Sequence, residues 1–291
     1  MSGTVLVTGA SGQLGRELTR TQPAGTLVHA LARADLDLQD SAAVARMIDR
    51  HRPSVIINAA AYTAVDRAET EARLAHAVNV TAVQALAEAA LRCEARIIHV
   101  STDFVFGGGS ARPWRTDDAT APQSVYGRTK RDGESALLDT LGARALVMRT
   151  AWLYSAHGTN FVTTMLRLLR ERESVSVVAD QVGTPTWART LATTIWAAVE
   201  RPELGGIMHW TDAGVASWYD LAVAVSEDAA AAGLLPRVTT VLPITTEDYP
   251  TAATRPSYSV LDKTATLAAL QVPTMHWRTA LRQMLAEMAD A

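Results

Sequence analysis

The sequence predicts an α/β fold: a doubly wound parallel sheet with a smaller C-terminal lobe. Short apolar runs of strand length alternate with Ala- and Leu-rich stretches of helical periodicity. The first apolar run ends in a glycine-rich turn that leads into a helix. Strands joined by helices in this way imply a parallel sheet covered on both faces. With 48 % hydrophobic and 20 % charged residues over 291 positions, the chain is large enough for a principal core and a second lobe.

In chain order, TVLVT (4–8), TLVHALA (26–32), SVIINAA (54–60), RIIHVST (96–102) and RALVMRT (144–150) are the expected strands. Between them lie 13–21, 41–51, 68–92 and 127–140, each able to form one or more helices with an apolar stripe. After residue 153 the rhythm loosens, although a helix over 187–200 and a strand GIMHWT (206–211) can rejoin the sheet. The Pro- and Thr-rich stretch 236–257 is expected to form loops of the smaller lobe.

The first loop is the most informative. In VLVTGASGQLGREL the strand ends at Thr8, glycines stand at Gly9, Gly12 and Gly15, and a helix begins near Gln13. Glycine permits the tight turn and lets a pyrophosphate approach the backbone, and the free N–H groups of a helix start favour its negative charge. The spacing is GxxGxxG rather than GxGxxG, and a turn used only for chain reversal would also take glycine. The triphosphate motif GxxxxGK[ST] is absent, so a dinucleotide is the expected ligand. About 20 residues beyond the turn, where the adenosine ribose should lie, the sequence reads LARADLDLQD. Asp35 and Asp37 suit the ribose hydroxyls of NAD, whereas Arg33 suits the extra phosphate of NADP. NADPH bound through Arg33 is the reading adopted, with NADH use left open and a surface Arg33 without a role as the plain alternative. Residues 1–153, rejoined by 186–213, are then a dinucleotide-binding domain, and 154–185 with 214–291 a substrate-binding lobe.

Composition narrows the partners. A formal charge of −3, with no cluster of Lys and Arg among aromatics, speaks against nucleic acid. Cys93 is the only cysteine, which excludes an intrachain disulfide or a cysteine-rich zinc site and suits a reducing cytosol. No HxxxH or HExxH pattern occurs, so no metal ligand is assigned, and His99, in an apolar strand, reads as a satisfied core histidine. No cationic segment precedes a long apolar one at the N-terminus, and no run of about 18 apolar residues is found, so a cytoplasmic protein without a membrane partner is expected.

SVYGRTKRDGESALL (124–138) places Tyr126 four positions before Lys130. On a helix, residues four apart share a face, so a phenol and an ammonium can act on one spot. Taken alone, the pair also fits a tyrosine at a core edge and a solvated lysine.

The ordered set TGASGQLG, NAAAYTAVDRAE, VNVTAVQALA, HVSTDFVF, TAPQSVYGRTK, RTAWLY, NFVTTMLRLL, DQVGTPT, RPSYSVLD and HWRTALRQML resembles the extended short-chain dehydrogenase/reductase superfamily. Within it, the chain resembles the reductases of dTDP-4-keto-6-deoxy sugars, over nearly its whole length. The resemblance implies a Rossmann-like sheet, NADPH as cofactor, and reduction of the C4 ketone of dTDP-4-dehydro-6-deoxy-L-mannose to dTDP-L-rhamnose. Ketone reduction needs hydride at the carbonyl carbon and a proton at its oxygen. Tyr126 is then the proton donor. Lys130 would lower the phenol from its ordinary pKa of about 10 and bond the nicotinamide ribose, and the Thr102 hydroxyl would bind the substrate carbonyl.

The same resemblance implies further roles. Gly12, Gln13 and Leu14 contact the cofactor in the turn that Gly9 and Gly15 complete. Asp37 and Leu38 meet its adenosine end, and Ala61, Tyr62 and Thr63 run along the dinucleotide. Asp103 and Trp152 fall at sugar-contacting positions, although Asp103 could equally cap a turn and Trp152 pack a core. Arg255, in TRPSY, could pair with the diphosphate through its guanidinium fork.

Some members that the chain resembles bind Mg2+ through carboxylates at a subunit interface. Glu17 stands at one such position, but Arg189 replaces a Glu at another, and a guanidinium cannot ligate a cation. That departure argues against Mg2+ and leaves the associated homodimer open. The alternatives are reduction of another dTDP-4-keto-deoxysugar, and a non-catalytic nucleotide-binding regulatory subunit, against which the intact Thr102, Tyr126 and Lys130 set argues. An epimerase or a dehydratase is a further alternative; a dehydratase would need an added acid, for which Asp103 is the one candidate in STDFVF.

Overall fold

The computed structural model describes residues 3–290. The chain begins with β1 (Thr4–Thr8), α1 (Gln13–Arg20), β2 (Leu27–Leu31), α2 (Ser41–His51) and β3 (Val55–Asn58). A helical stretch follows: α3 (Val65–Ala68), α4 (Ala72–His76), a π turn (Ala77–Thr81) and α5 (Ala82–Arg92), before β4 (Arg96–Thr102), α6 (Val125–Leu141) and β5 (Ala145–Thr150). Next come β6 (Leu153–Tyr154), α7 (Phe161–Glu171), β7 (Ser174–Val178), β8 (Val182–Gly183), β9 (Thr186–Trp187), α8 (Ala188–Val199) and β10 (Gly206–His209). The chain closes with β11 (Ala216–Ser217), α9 (Trp218–Ala231), β12 (Thr240–Ile244), α10 (Thr264–Leu270) and α11 (Trp277–Ala289).

The expected doubly wound sheet is present. Its strand order is β10-β5-β4-β3-β1-β2, and every neighbouring pair is parallel. Val55, Ile56 and Ile57 of the central β3 are buried on both faces, whereas β2, at one edge, is half exposed. On one face α1 and α8 pack Leu14, Leu18, Leu191 and Ile195 against the sheet. On the other, α2, α5 and α6 pack Val44, Ile48, Leu86 and Leu137. The run Ala72–Arg92 is the one helical segment among the described residues long and apolar enough to cross a membrane; its α5 packs between α2 and α6 instead. From β1 the chain turns outward to β2, then crosses back to place β3 on the other side of β1. The loops after β1 and β3 therefore diverge and leave a crevice at the carboxyl ends of the strands.

A second core gathers Val162 and Leu169 of α7, Val225 of α9 and Leu281 of α11. The stretch expected as loops at 236–257 contains β12, which pairs in parallel with β7, Val241 opposite Val175. Val241 is buried in the second core, and this burial outweighs the local turn propensity. Pro243 is tolerated because a two-stranded sheet leaves β12 an outer edge.

Helix α6 is set in place by its first turn. Ser124 caps it, its hydroxyl accepting from the Gly127 N–H at 3.1 Å. At Gly127 a Cβ would stand 2.2 Å from the Phe104 carbonyl oxygen and 3.0 Å from Pro122 Cβ, so the missing side chain lets the helix press onto the segment that follows β4. Gly127→Ala is expected to destabilise the fold by about 1–3 kcal/mol through overpacking, measured by urea unfolding; an unchanged midpoint would show that α6 has room to move.

Candidate active site

A cleft of about 890 Å3 opens at the crevice, within the range of small-molecule and cofactor sites. Gly9, Gly12, Gln13 and Leu14 line it after β1, Arg33, Asp37 and Leu38 after β2, and Ala61, Tyr62 and Thr63 after β3. Thr102 and Asp103 enter from the end of β4, Tyr126 and Lys130 from α6, Trp152 from the end of β5, and Arg255 from the C-terminal part. Gly15, expected with them, is not in the lining. A Cβ there would lie 2.2 Å from the Gly9 carbonyl oxygen and 2.6 Å from Ala10 Cα, so its lack of a side chain lets α1 pack on the turn.

Helix α1 starts at Gly12 with no side-chain cap, which leaves its first N–H groups available to an anionic ligand. The glycine turn, this helix start and the volume of the cleft fit a dinucleotide. At its adenosine end the two competing residues face each other, Arg33 Nη2 lying 3.6 Å from Asp37 Oδ2, both exposed. The loop after β3 is held from behind: Asn79, buried in the π turn, accepts from the Tyr62 N–H at 2.9 Å and donates to the Tyr62 carbonyl at 3.1 Å. Gln13 reaches the other lobe, its Oε1 accepting from Asn160 Nδ2 at 3.0 Å and Ser155 Oγ at 3.2 Å.

Tyr126 is buried at the cleft wall, 9 % exposed. Burial pushes the phenol up to about 12, against the neighbouring Thr102 hydroxyl, and the charge of Asp103 adds to this. Lys130 was expected to pull the phenol down; burial prevails instead. The ammonium turns toward β4, where Nζ donates to the Val100 carbonyl at 2.7 Å and lies 3.1 Å from His99 Nε2. Burial draws Lys130 itself down to about 8, against the opposing charge of Glu134. The Thr102 hydroxyl, expected on a substrate carbonyl, here donates to Asp103 Oδ1 at 3.0 Å and accepts from the Phe104 N–H at 3.2 Å. Burial raises Asp103 to about 6, and its Oδ2 has no partner among the described residues.

Trp152 sits at φ +47°, in the left-handed region that a bulky residue enters at a cost. Its indole lies where a Cβ on Gly183 would come within 2.5 Å, and it stacks on Trp218 with centroids 3.5 Å apart and planes 3° from parallel. Trp218, held through its Nε1–H by Gln181 Oε1 at 3.2 Å, also lines the cleft. The sequence carries no local signal for Trp218, which follows the cap residue of α9. Arg255 is placed at the cleft, but its fork is closed: Nη1 and Nη2 donate to Asp66 Oδ1 and Oδ2 at 3.1 and 2.7 Å. This ion pair ties the loop to α3 at the cleft wall.

The family described as "RmlD substrate binding domain" matches residues 3–290. The chain belongs to the RmlD family. A dTDP-4-dehydrorhamnose reductase from Aggregatibacter actinomycetemcomitans is 43 % identical over 289 residues, 97 % of this chain and 98 % of that protein. A Streptomyces antibioticus protein named "Probable dTDP-4,6-dihydroxy-2-methyloxan-3-one 4-ketoreductase" is also 43 % identical, over 98 % of this chain and 96 % of its own. The crystal structure of a dTDP-4-dehydrorhamnose reductase from Bacillus anthracis in complex with NADP superposes with a TM-score of 0.92 at 33 % identity, covering 99 % of this chain and 100 % of that one.

In this RmlD chain Glu17, the carboxylate weighed for Mg2+, is already paired with Arg189, as is Glu287. Arg189 donates to Glu17 at 2.9 Å and to Glu287 at 2.7 Å, and its guanidinium carbon lies 4.2 Å from the Trp187 ring centroid. Glu17 is wholly buried, so the guanidinium supplies the positive charge it needs, and the residues present do not fit a bound cation. Among the described residues no three His, Cys, Asp or Glu side chains gather as a metal site. Arg189→Ala, which leaves the buried Glu17 with only the His157 ring at 3.8 Å, is expected to cost on the order of 3 kcal/mol in urea unfolding, and added EDTA should not change the wild-type midpoint; a midpoint unaffected by the substitution would refute the compensation.

Proposed function

We propose that this RmlD-family chain reduces the C4 ketone of dTDP-4-dehydro-6-deoxy-L-mannose to dTDP-L-rhamnose with NADPH, Tyr126 giving the proton. The observation that carries the reading is the convergence of the Tyr126 phenol, the Thr102 hydroxyl and the buried Lys130 in the cleft that the glycine turn opens. A bound dihydronicotinamide supplies the hydride to C4. Charge then develops on the ketone oxygen, and a positioned acid must answer it. With its pKa near 12 the Tyr126 phenol is fully protonated at neutral pH and hands its hydrogen to that oxygen. Thr102, turning its one hydroxyl hydrogen from Asp103 to the ketone oxygen, holds the carbonyl beside the phenol. Asp103, at the cleft wall beside Thr102, meets the sugar, and the Trp152 and Trp218 stack covers the apolar side of the deoxyhexose. Lys130, with the loop from Ala61 to Thr63, holds the nicotinamide ribose. Cys93, a free thiol, suits work in the cytoplasm.

The second reading is reduction of another dTDP-4-keto-deoxysugar, favoured by the equal identity to the Streptomyces antibioticus protein. A panel of nucleotide ketosugars, with cofactor oxidation followed by absorbance and products assigned by NMR, separates the two. Binding of NADPH and of every ketosugar without turnover would instead support a regulatory subunit. Tyr126→Phe is expected to lower kcat by ~10²-fold or more with NADPH binding kept; near-normal turnover would end the proton-donor role. Arg33→Ala should raise KM for NADPH more than for NADH, and equal effects would remove Arg33 from the 2′-phosphate.

A further inference from the structure

His99 lies wholly buried on β4, and the reaction as proposed gives it no part. Both of its ring nitrogens are engaged. Nδ1 lies 3.0 Å from Asn58 Nδ2 on β3, and Nε2 lies 3.1 Å from Lys130 Nζ on α6. Asn58 Oδ1 accepts from the Thr8 hydroxyl of β1 at 2.7 Å and, more weakly, from the Ala60 N–H at 3.3 Å, a bond that a half-turn of the amide gives up. Three adjacent strands thus contribute one polar side chain each to a line that ends on the amine of Lys130.

Counting hydrogens along the line shows what the imidazole must do. Burial, aided by the Lys130 charge, pushes His99 well below its ordinary pKa, so the ring is neutral, with one N–H and one lone pair. An ammonium can only donate, so a charged Lys130 requires the lone pair on Nε2 and the hydrogen on Nδ1. That hydrogen needs an acceptor, which Asn58 supplies when its amide oxygen faces the ring and its NH2 faces Thr8. With the NH2 toward the ring, as the structure has it, the ring hydrogen sits on Nε2 and faces the amine, which suits a neutral amine and not an ammonium. The two arrangements differ by one proton on Lys130, the ring tautomer and a half-turn of one amide.

The other charged groups around this line are few. Glu134, on α6 with Lys130, is tied to Arg149 of β5 through a buried pair at 2.7 Å. Tyr126 stands one helical turn before Lys130, and Asp103 follows the end of β4 beside the phenol. The π turn faces α6 with the neutral Asn79, bonded to Thr129 at 3.1 Å. No carboxylate contacts Lys130 Nζ among its hydrogen-bond partners in the described residues, so the imidazole and the Val100 carbonyl are what hold it.

We propose that His99 is a positioning residue for the reduction: its Nε2 lone pair fixes the Lys130 head and keeps it an ammonium, and the Asn58 amide turns when that proton leaves. This rests on the role given to Lys130 above. The test combines pH profiles of kcat/KM for ketosugar reduction in wild type, His99→Leu and His99→Gln with 15N shifts of the His99 ring in wild type and Lys130→Met. Loss of the acceptor destabilises the ammonium, so the basic limb of His99→Leu should move to lower pH by about one unit, the scale of one charge-assisted hydrogen bond. His99→Gln, whose amide oxygen can accept the same hydrogen, should recover most of the shift. In wild type at neutral pH the ring hydrogen should be on Nδ1, and in Lys130→Met it should leave that position. Coincident profiles for wild type and a folded His99→Leu, or a tautomer indifferent to Lys130→Met, would overturn the proposal. If His99→Leu does not fold, the tautomer pair decides. Retained turnover in Tyr126→Phe would defeat the reaction reading while leaving the tautomer result to judge His99.

Discussion

The structure depends on burying one ammonium. Lys130 is fully enclosed between α6 and β4, and an amine in so dry a place survives as a cation only if each of its hydrogens finds an acceptor. The Val100 carbonyl accepts one and His99 faces a second, which leaves the third for a ligand in the cleft, and the two together hold the helix to the strand. The same contact fixes Tyr126 beside Thr102, because both α6 residues share one helix face. Gly127 supplies the close approach, and the Ser124 cap sets where the helix begins.

Around this contact the cleft is built by tying separate elements to one another. Gln13 joins the glycine turn to Asn160 and Ser155, and Asn79 holds the loop after β3 against α6. Arg255 and Asp66 clamp the C-terminal loop to α3. The indoles of Trp152 and Trp218 stack because Gly183 leaves room for the first of them. The polar groups of the cleft therefore arrive already oriented, which lowers the ordering cost of binding and of the transition state.

Much of the fold was legible from local pattern. β1, β4 and α2 run over the stretches that periodicity marked, and β10 rejoins the sheet where GIMHWT stands. The strand β12 was not legible, since Pro and Thr signal turns locally and only burial of Val241 in the second core makes the strand worthwhile. Residues that belong to motifs were found at the cleft. Trp218 was missed because nothing near it in sequence marks it, and its place depends on α9 docking beside α7.

By itself the sequence determined the doubly wound sheet, the glycine turn, the helical spacing of Tyr126 and Lys130, and the likeness to a reductase family, since each is carried by residues close along the chain. Only the tertiary structure decided the charges and the contacts. Burial, which no spacing reports, raises Tyr126 to about 12 and lowers Lys130 to about 8. The fold also closes Arg255 on Asp66, sets Arg189 between Glu17 and Glu287, and brings the His99 ring within 3.1 Å of the Lys130 amine. These pairings join residues far apart in the chain, and their electrostatics are set by distance and dielectric in the folded state.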